Sequence, residues 1–184
     1  MERIILETYE KQFAYYKSLA DRTIQQLSTE QMLHVPHHGS NSIAVIMKHI
    51  VGNQLSRWTD IFSTDGEKEW RNRDKEFEME DITASQIFEY WEKGWHTLFT
   101  TLRSVSDVDL QRIIYIRNMG HTVQEAVIRQ LCHYPYHIGQ IVYIGKLLLG
   151  DKFASLSIAP GQSAVYNKEK FDKEKGIRHF TDDL

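Results

Sequence analysis

Residues 122–149 read TVQEAVIRQLCHYPYHIGQIVYIGKLLL, a stretch with the start and stop signals of a long helix. Apolar residues recur at steps of three and four, a threonine that can cap a helix opens the stretch, and Gly150 follows it. His133 and His137 lie one helical turn apart, on a face that continues through Ala126 and Ile141. The stretch therefore predicts an amphipathic helix that carries both histidines toward a helical core.

Three other segments have the same helical period, at about residues 3–27, 42–62 and 83–104. A loop rich in helix breakers, residues 35–41, separates the first two. A polar connection, residues 63–82, separates the second from the third, and its aromatic residues Trp70 and Phe77 predict that it is ordered. The β-branched residues 112–117 with a turn at 118–120 predict a small hairpin before the fourth helix.

Together these elements predict a single all-α domain that covers residues 1–184. It is expected to be a four-helix bundle with a long crossover connection, over about residues 3–150, followed by a C-terminal extension at residues 151–184. A length of 184 residues and a hydrophobic content of 41% suit a soluble globular protein with a substantial core.

Composition also excludes several functional classes. The net charge is −3 and both signs are mixed along the chain, so no nucleic-acid partner is expected. No apolar run approaches the roughly 20 residues of a membrane span, and no secretory signal is recognisable at the start. A lone cysteine, Cys132, suits a reducing compartment. The expectation is a cytoplasmic protein in which Cys132 is a small buried residue and not a metal ligand.

Nine histidines are many for this length, and three of them form a candidate metal site. His133 and His137 can bind one cation from a single helix face, and His49 lies beside the apolar face of the second helix. Three neutral imidazoles suit zinc, nickel, copper or iron and leave a coordination position open, as catalytic sites do. The spacing alone is more often typical of histidines that are hydrogen-bonded or solvated, so the residues by themselves leave both interpretations open. His37 and His38, beside Gly39, are expected to be solvated or to lie at the rim of the site. The other histidines have no partner at ligand spacing: His34, His96, His121 and His179.

Several segments resemble the DinB/YfiT-like superfamily, over nearly the whole chain. One is GSNSIA at 39–44 leading to HIVGN at 49–53, and another is His133 and His137 followed by IGQ at 138–140. One subgroup of unassigned activity is similar in further segments: RWTD at 57–60, TDGEK at 64–68, RNRD at 71–74, SLSI at 155–158 and PGQS at 160–163.

The resemblance implies a four-helix bundle with a long crossover, often paired as a homodimer. It also implies one divalent metal ion, with nickel or zinc expected first and iron or manganese as alternatives. One ligand comes from the second helix and two from the fourth, and these positions correspond to His49, His133 and His137. Characterised relatives include transferases and isomerases that use a low-molecular-weight thiol such as bacillithiol, mycothiol or glutathione.

The leading functional hypothesis is a metal-dependent transferase that adds such a thiol to a small electrophile. The open metal position would take the thiol sulfur, so no general base and no catalytic residue beyond the ligands is named. Asn53, Arg57 and Gln140 are candidates to support the ligands or orient the substrate. The alternatives are a metal-dependent hydrolase, against which the absence of a His-Glu-x-x-His motif argues, and a stress protein that binds a metal or small ligand without catalysis.

The loop at residues 65–74 has two interpretations. It lines the site, with Trp70, Arg71 and Arg73 meeting an anionic substrate, or it is a solvated charged surface that one buried tryptophan holds in place.

Overall fold

The computed structural model describes residues 4–78 and 83–182. Its elements, in chain order, are α1 (Ile4–Ile24), α2 (Thr29–Leu33), α3 (Ile43–Trp58), α4 (Ala84–Ser104), β1 (Ile113–Ile116), β2 (Met119–Thr122), α5 (Val123–Leu149) and α6 (Ser163–Phe171). The four long helices, α1, α3, α4 and α5, pack as a bundle, which confirms the predicted all-α fold. Residues 79–82 of the predicted connection lie outside the described residues, as does Arg3 at the predicted start of the first helix.

The helix boundaries follow local capping chemistry. Thr83 and Thr122 cap α4 and α5, and each exchanges hydrogen bonds with a glutamine or glutamate three residues later. At its other end, α5 stops at Gly150, which has a φ of 53°. Helix α3 was predicted to run to about residue 62 but ends at Trp58, because Thr59 is extended and Asp60 takes a φ of 49°.

The predicted hairpin is present, but its turn lies earlier than expected. β1 and β2 pair antiparallel, with Ile116 opposite Met119. The two turn residues, Arg117 and Asn118, both have positive φ (55° and 60°), as a tight two-residue turn requires. Asp65 stabilises this turn by accepting hydrogen bonds from the backbone N–H groups of Arg117 and Asn118, each at 2.8 Å.

Helix α3 is the centre of the fold. All its residues except Lys48 are buried, although several are polar. The helical period of residues 83–104 predicts an inward face on α4, and the side chains of that face are buried against α3: Ile87, Trp91, Trp95, Leu98 and Leu102. The period of residues 3–27 also predicts that Ile5 faces inward, but Ile5 is exposed and its neighbour Leu6 is buried instead.

The connection after α3 is ordered by polar contacts and by Phe77, which stacks on His49, and not by Trp70. Trp70 is 60% exposed, which contradicts the idea of a buried tryptophan anchor. The buried hydroxyl of Ser56 donates to the carbonyl of Gly66 (2.8 Å) and accepts from the N–H of Lys68 (3.1 Å). The connection therefore lies along α3, covers its polar face, and ends in a 3-10 turn, Asp74–Phe77.

The C-terminal extension contains α6, a helix that the weak periodicity there did not predict and that has no buried residue. Beyond α6 the chain returns to α1, where Lys11 pairs with Asp182 at 2.7 Å. Among residues 4–78 and 83–182, no helix combines the length and apolar character needed to cross a membrane.

Replacing Ser56 with alanine is expected to lower the free energy of unfolding by about 1–3 kcal/mol, because a buried carbonyl and a buried N–H then lose their shared partner. Urea unfolding followed by circular dichroism measures the change. Ser104→Ala, which removes an exposed hydroxyl bonded to the carbonyl of Thr101, is the control and is expected to change stability by less than about 0.5 kcal/mol. Equal effects of the two substitutions would contradict the proposed role of Ser56.

Candidate metal centre

Helices α3 and α5 bring the three predicted histidines together inside the bundle. His49 Nε2 lies 3.4 Å from His133 Nε2, and His137 Nε2 lies 3.1 Å from the same atom. One ligand nitrogen from each residue lies within 4.8 Å of the other two. His49 is buried, and the two histidines of α5 are half-buried. The three side chains are thus positioned to hold one metal ion.

The outer nitrogen of each imidazole faces an oxygen that accepts a hydrogen bond. His49 Nδ1 is 2.9 Å from Glu76 Oε2, His133 Nδ1 is 3.0 Å from Gln130 Oε1, and His137 Nδ1 is 3.2 Å from Gln140 Oε1. In the tautomer in which each Nδ1 donates to its oxygen, the Nε2 lone pair of each ring is available to a metal ion. The three Nε2 atoms then face one another in an arrangement that fits a shared cation.

Electrostatics keep the α5 histidines neutral. Burial, together with the nearby His137 and His49, lowers the pKa of His133 to about 3. Burial also lowers the pKa of His137, against the opposing hydrogen bond of Gln140. Both rings are thus uncharged near neutral pH, which is the form that coordinates a metal ion.

Glu76 is a functional residue that the sequence analysis missed. Its carboxylate is buried and accepts two hydrogen bonds from the guanidinium of Arg71, at 2.7 and 3.0 Å, as well as the one from His49. Hydrogen bonds and charge from Glu76 and Glu67 keep the pKa of Arg71 raised although burial acts to lower it. This chain of contacts fixes the orientation of the His49 ring from the side opposite to the proposed metal.

Gln130 was also missed, although its position contains a signal. It lies three residues before His133 just as Gln140 lies three residues after His137, and residues at this spacing are neighbours on a helix. Gln140 contacts His137, and its role beside a metal ligand stays a prediction. Glu76 offers no such signal, because it lies 27 residues from His49 in the chain.

Asn53 and Arg57 follow His49 on one face of α3, and both are buried. Asn53 Oδ1 accepts a hydrogen bond from the hydroxyl of Tyr134 (3.0 Å), whose pKa burial raises. Arg57 donates to the carbonyl of Gly66 and to Glu67, the latter at 2.9 Å. Burial lowers the pKa of Arg57 even though Glu67 opposes the shift.

A cavity of about 210 Å³ opens beside the histidines. Its lining includes His49 and His133 and the arginines of the connection, Arg71 and Arg73, as one interpretation of the loop predicted. Trp70 is not among the lining residues. Cys132 is exposed, which corrects the expectation that it is a buried core residue.

The position of Glu76 depends on a glycine. A β-carbon at Gly52 would overlap the Glu76 carboxylate, so Gly52→Ala is expected to displace that carboxylate from His49. Loss of such a supporting contact typically lowers metal affinity about 10–100-fold. Competition between the protein and a chromophoric chelator for Zn²⁺ measures the affinity, and circular dichroism verifies that the variant is folded.

The matched control is Gly139→Ala on α5, where no atom lies within 4 Å of the new β-carbon. It is expected to leave Zn²⁺ affinity unchanged. Equal affinities of the two alanine variants would show that the Glu76 contact does not support the site.

Comparison with known proteins places the chain in a family. A family model described as "Protein of unknown function (DUF1572)" matches residues 1–162, a span that includes the whole bundle and all three histidines. No curated protein matches the chain, and no solved structure does. With most of its length covered by that match, the chain belongs to the DUF1572 family.

Proposed function

We propose that this protein is a DinB-like, metal-dependent transferase that adds a low-molecular-weight thiol to a small electrophile. One divalent ion, nickel or zinc before iron or manganese, would be held by His49, His133 and His137. The observation that carries the proposal is the convergence of three Nε2 atoms, those of His49 and His137 lying 3.4 and 3.1 Å from that of His133, beside a cavity that His49 and His133 line. The thiol and a homodimer remain predictions from the family resemblance.

When bound, such an ion supplies a Lewis acid that favours the thiolate form of a thiol near neutral pH. The chain's own residues would hold the imidazole ligands in place and orient the substrate. Glu76, Gln130 and Gln140 keep the three imidazoles in one tautomer and one orientation. Asn53 and Arg57, which line the cavity, would orient the substrate.

The absence of a free carboxylate favours thiol transfer over the alternative of hydrolysis. Within the described part of the chain, no aspartate or glutamate lines the cavity. Glu76, the carboxylate that contacts His49, is already bound to Arg71 on the other side of the ring. Hydrolysis of the common zinc type uses a carboxylate as general base, whereas a thiolate needs none.

The metal content of the purified protein is the first test. Protein prepared without an affinity tag is expected to contain about one equivalent of divalent metal per chain, measured by inductively coupled plasma mass spectrometry. The triple variant His49→Ala, His133→Ala, His137→Ala is expected to contain none, because all three ligands are lost.

The control removes three exposed histidines outside the site: His34→Ala, His38→Ala, His96→Ala. It is expected to retain the metal. A parent protein that binds neither nickel nor zinc even after reconstitution would refute the metal site.

Catalysis requires a separate test. Monochlorobimane is a fluorogenic electrophile. Its consumption above the uncatalysed rate is expected only when both a thiol and the metal are present. In His133→Ala the rate of consumption should fall to the uncatalysed rate. Bacillithiol, mycothiol and glutathione are the thiols to compare. A fully metal-loaded protein without turnover across these thiols and a panel of electrophiles would instead support the non-catalytic binding function.

A further inference from the structure

The cavity beside the histidines is lined by an unusual share of the chain's positive charge. Of the nine arginines in residues 4–78 and 83–182, five line it, and none of the twelve lysines there does, in a chain of net charge −3. Arginine differs from lysine in presenting a planar fork of N–H donors that matches the two oxygens of a carboxylate or phosphate. The presence of arginines and the lack of lysines in the lining therefore indicate a site that binds an oxyanion through directed hydrogen bonds and not through positive charge alone. The arginines are Arg57, Arg71, Arg73, Arg117 and Arg129.

Within the described residues, two carboxylates form the ion pairs of these five guanidinium groups. One oxygen of Glu67 pairs with three of them, at 2.9 Å from Arg57 and 3.3 Å from both Arg71 and Arg117. Of the five arginines, Glu76 pairs with Arg71. The cavity wall thus has more guanidinium groups than paired carboxylates, and the surplus positive charge is available to a ligand.

Two arginines form no ion pair with residues 4–78 and 83–182. Arg73 stacks over the ring of Phe77, 5.2 Å from its centre, and Phe77 in turn stacks on His49. Arg129 has no hydrogen-bond or ion-pair partner in that described part of the chain and is exposed on α5. Both side chains can therefore bind an anion without first breaking a salt bridge.

The arginines lie at a defined place relative to the histidines. Arg129 precedes His133 by one turn of α5, about 6 Å along the helix, and Arg57 follows His49 by two turns of α3. Arg117 lies in the hairpin turn, at a positive φ that a non-glycine residue adopts at a cost and that Asp65 stabilises. With Arg71 and Arg73 of the connection, four separate parts of the chain thus contribute arginines to one cavity that His49 and His133 also line.

We propose that this cavity recognises the anionic end of the substrate, a carboxylate or phosphate group, through Arg129, Arg73 and Arg117. The reactive end of the same small molecule would reach the histidine centre, so this inference rests on the proposed function and specifies the substrate class. Neutral molecules of the same size would bind weakly, because they leave the guanidinium groups without an anionic partner.

Isothermal titration calorimetry at constant ionic strength tests this inference, with inorganic phosphate, succinate and neutral succinamide as probes. Zinc-reconstituted protein is expected to bind phosphate or succinate, and the tighter of the two identifies the class of oxyanion. Succinamide is expected to bind at least about tenfold more weakly than succinate, since charge-assisted hydrogen bonds are lost. Arg129→Gln is expected to weaken anion binding by about tenfold or more for the same reason.

Arg178→Gln is the matched control, because it removes the same charge from an exposed position outside the cavity. It is expected to leave anion binding unchanged. The inference would be overturned if the two variants lost anion affinity equally. It would also be overturned if succinamide bound as tightly as succinate, or if neither phosphate nor succinate bound.

Metal content measured in the same samples separates this inference from the proposed function. Protein that holds metal but binds neither anion contradicts the oxyanion site alone. Protein that binds an anion through Arg129 but takes up no metal contradicts the metal centre and supports the oxyanion site.

Discussion

Three imidazole rings whose Nε2 atoms converge, with His133 Nε2 3.1 Å from His137 Nε2 and 3.4 Å from His49 Nε2, are the constraint around which the rest of the structure is arranged. Burying three such polar rings side by side is costly unless their polar atoms have partners. The packing of the bundle therefore has to hold them together. It does so with the long helix α5, with an α3 that is buried except at Lys48, and with a side-chain oxygen beside the Nδ1 of every ring.

The long connection is part of this arrangement and not a simple link between helices. It covers the polar face of α3, places Glu76 against His49, and presents Arg71 and Arg73 to the cavity. Its order comes from buried hydrogen bonds and ion pairs around Ser56 and Glu67, so the segment that closes the site is stabilised by the same charges that shape it. Such a network specifies one geometry strongly, because each buried charge left without a partner is costly.

In the proposed function, the histidines and the arginines of one cavity perform separable tasks. The histidines are held in place by side-chain contacts, whereas the arginines that line the cavity have surplus positive charge and include exposed side chains. This polarity suits a substrate with two different ends, one reactive and one anionic. The division resembles a general feature of enzymes, in which contacts with the non-reacting part of a substrate position the reacting part.

The sequence by itself determined the four long helices, the caps of α4 and α5, and His133 and His137 as a candidate pair on one helix face. The periodicity of α4 and α5 and the capping threonines Thr83 and Thr122 depend only on residues close together in the sequence, so they can be recognised without the tertiary structure. Family resemblance, not spacing, selected His49 as the third member. Only the tertiary structure decided that Glu76 stands behind His49, that Gly52 leaves room for it, and that Arg117 and Arg129 share one cavity. These contacts join residues far apart in the chain, and no helical or strand period relates residues at such separations.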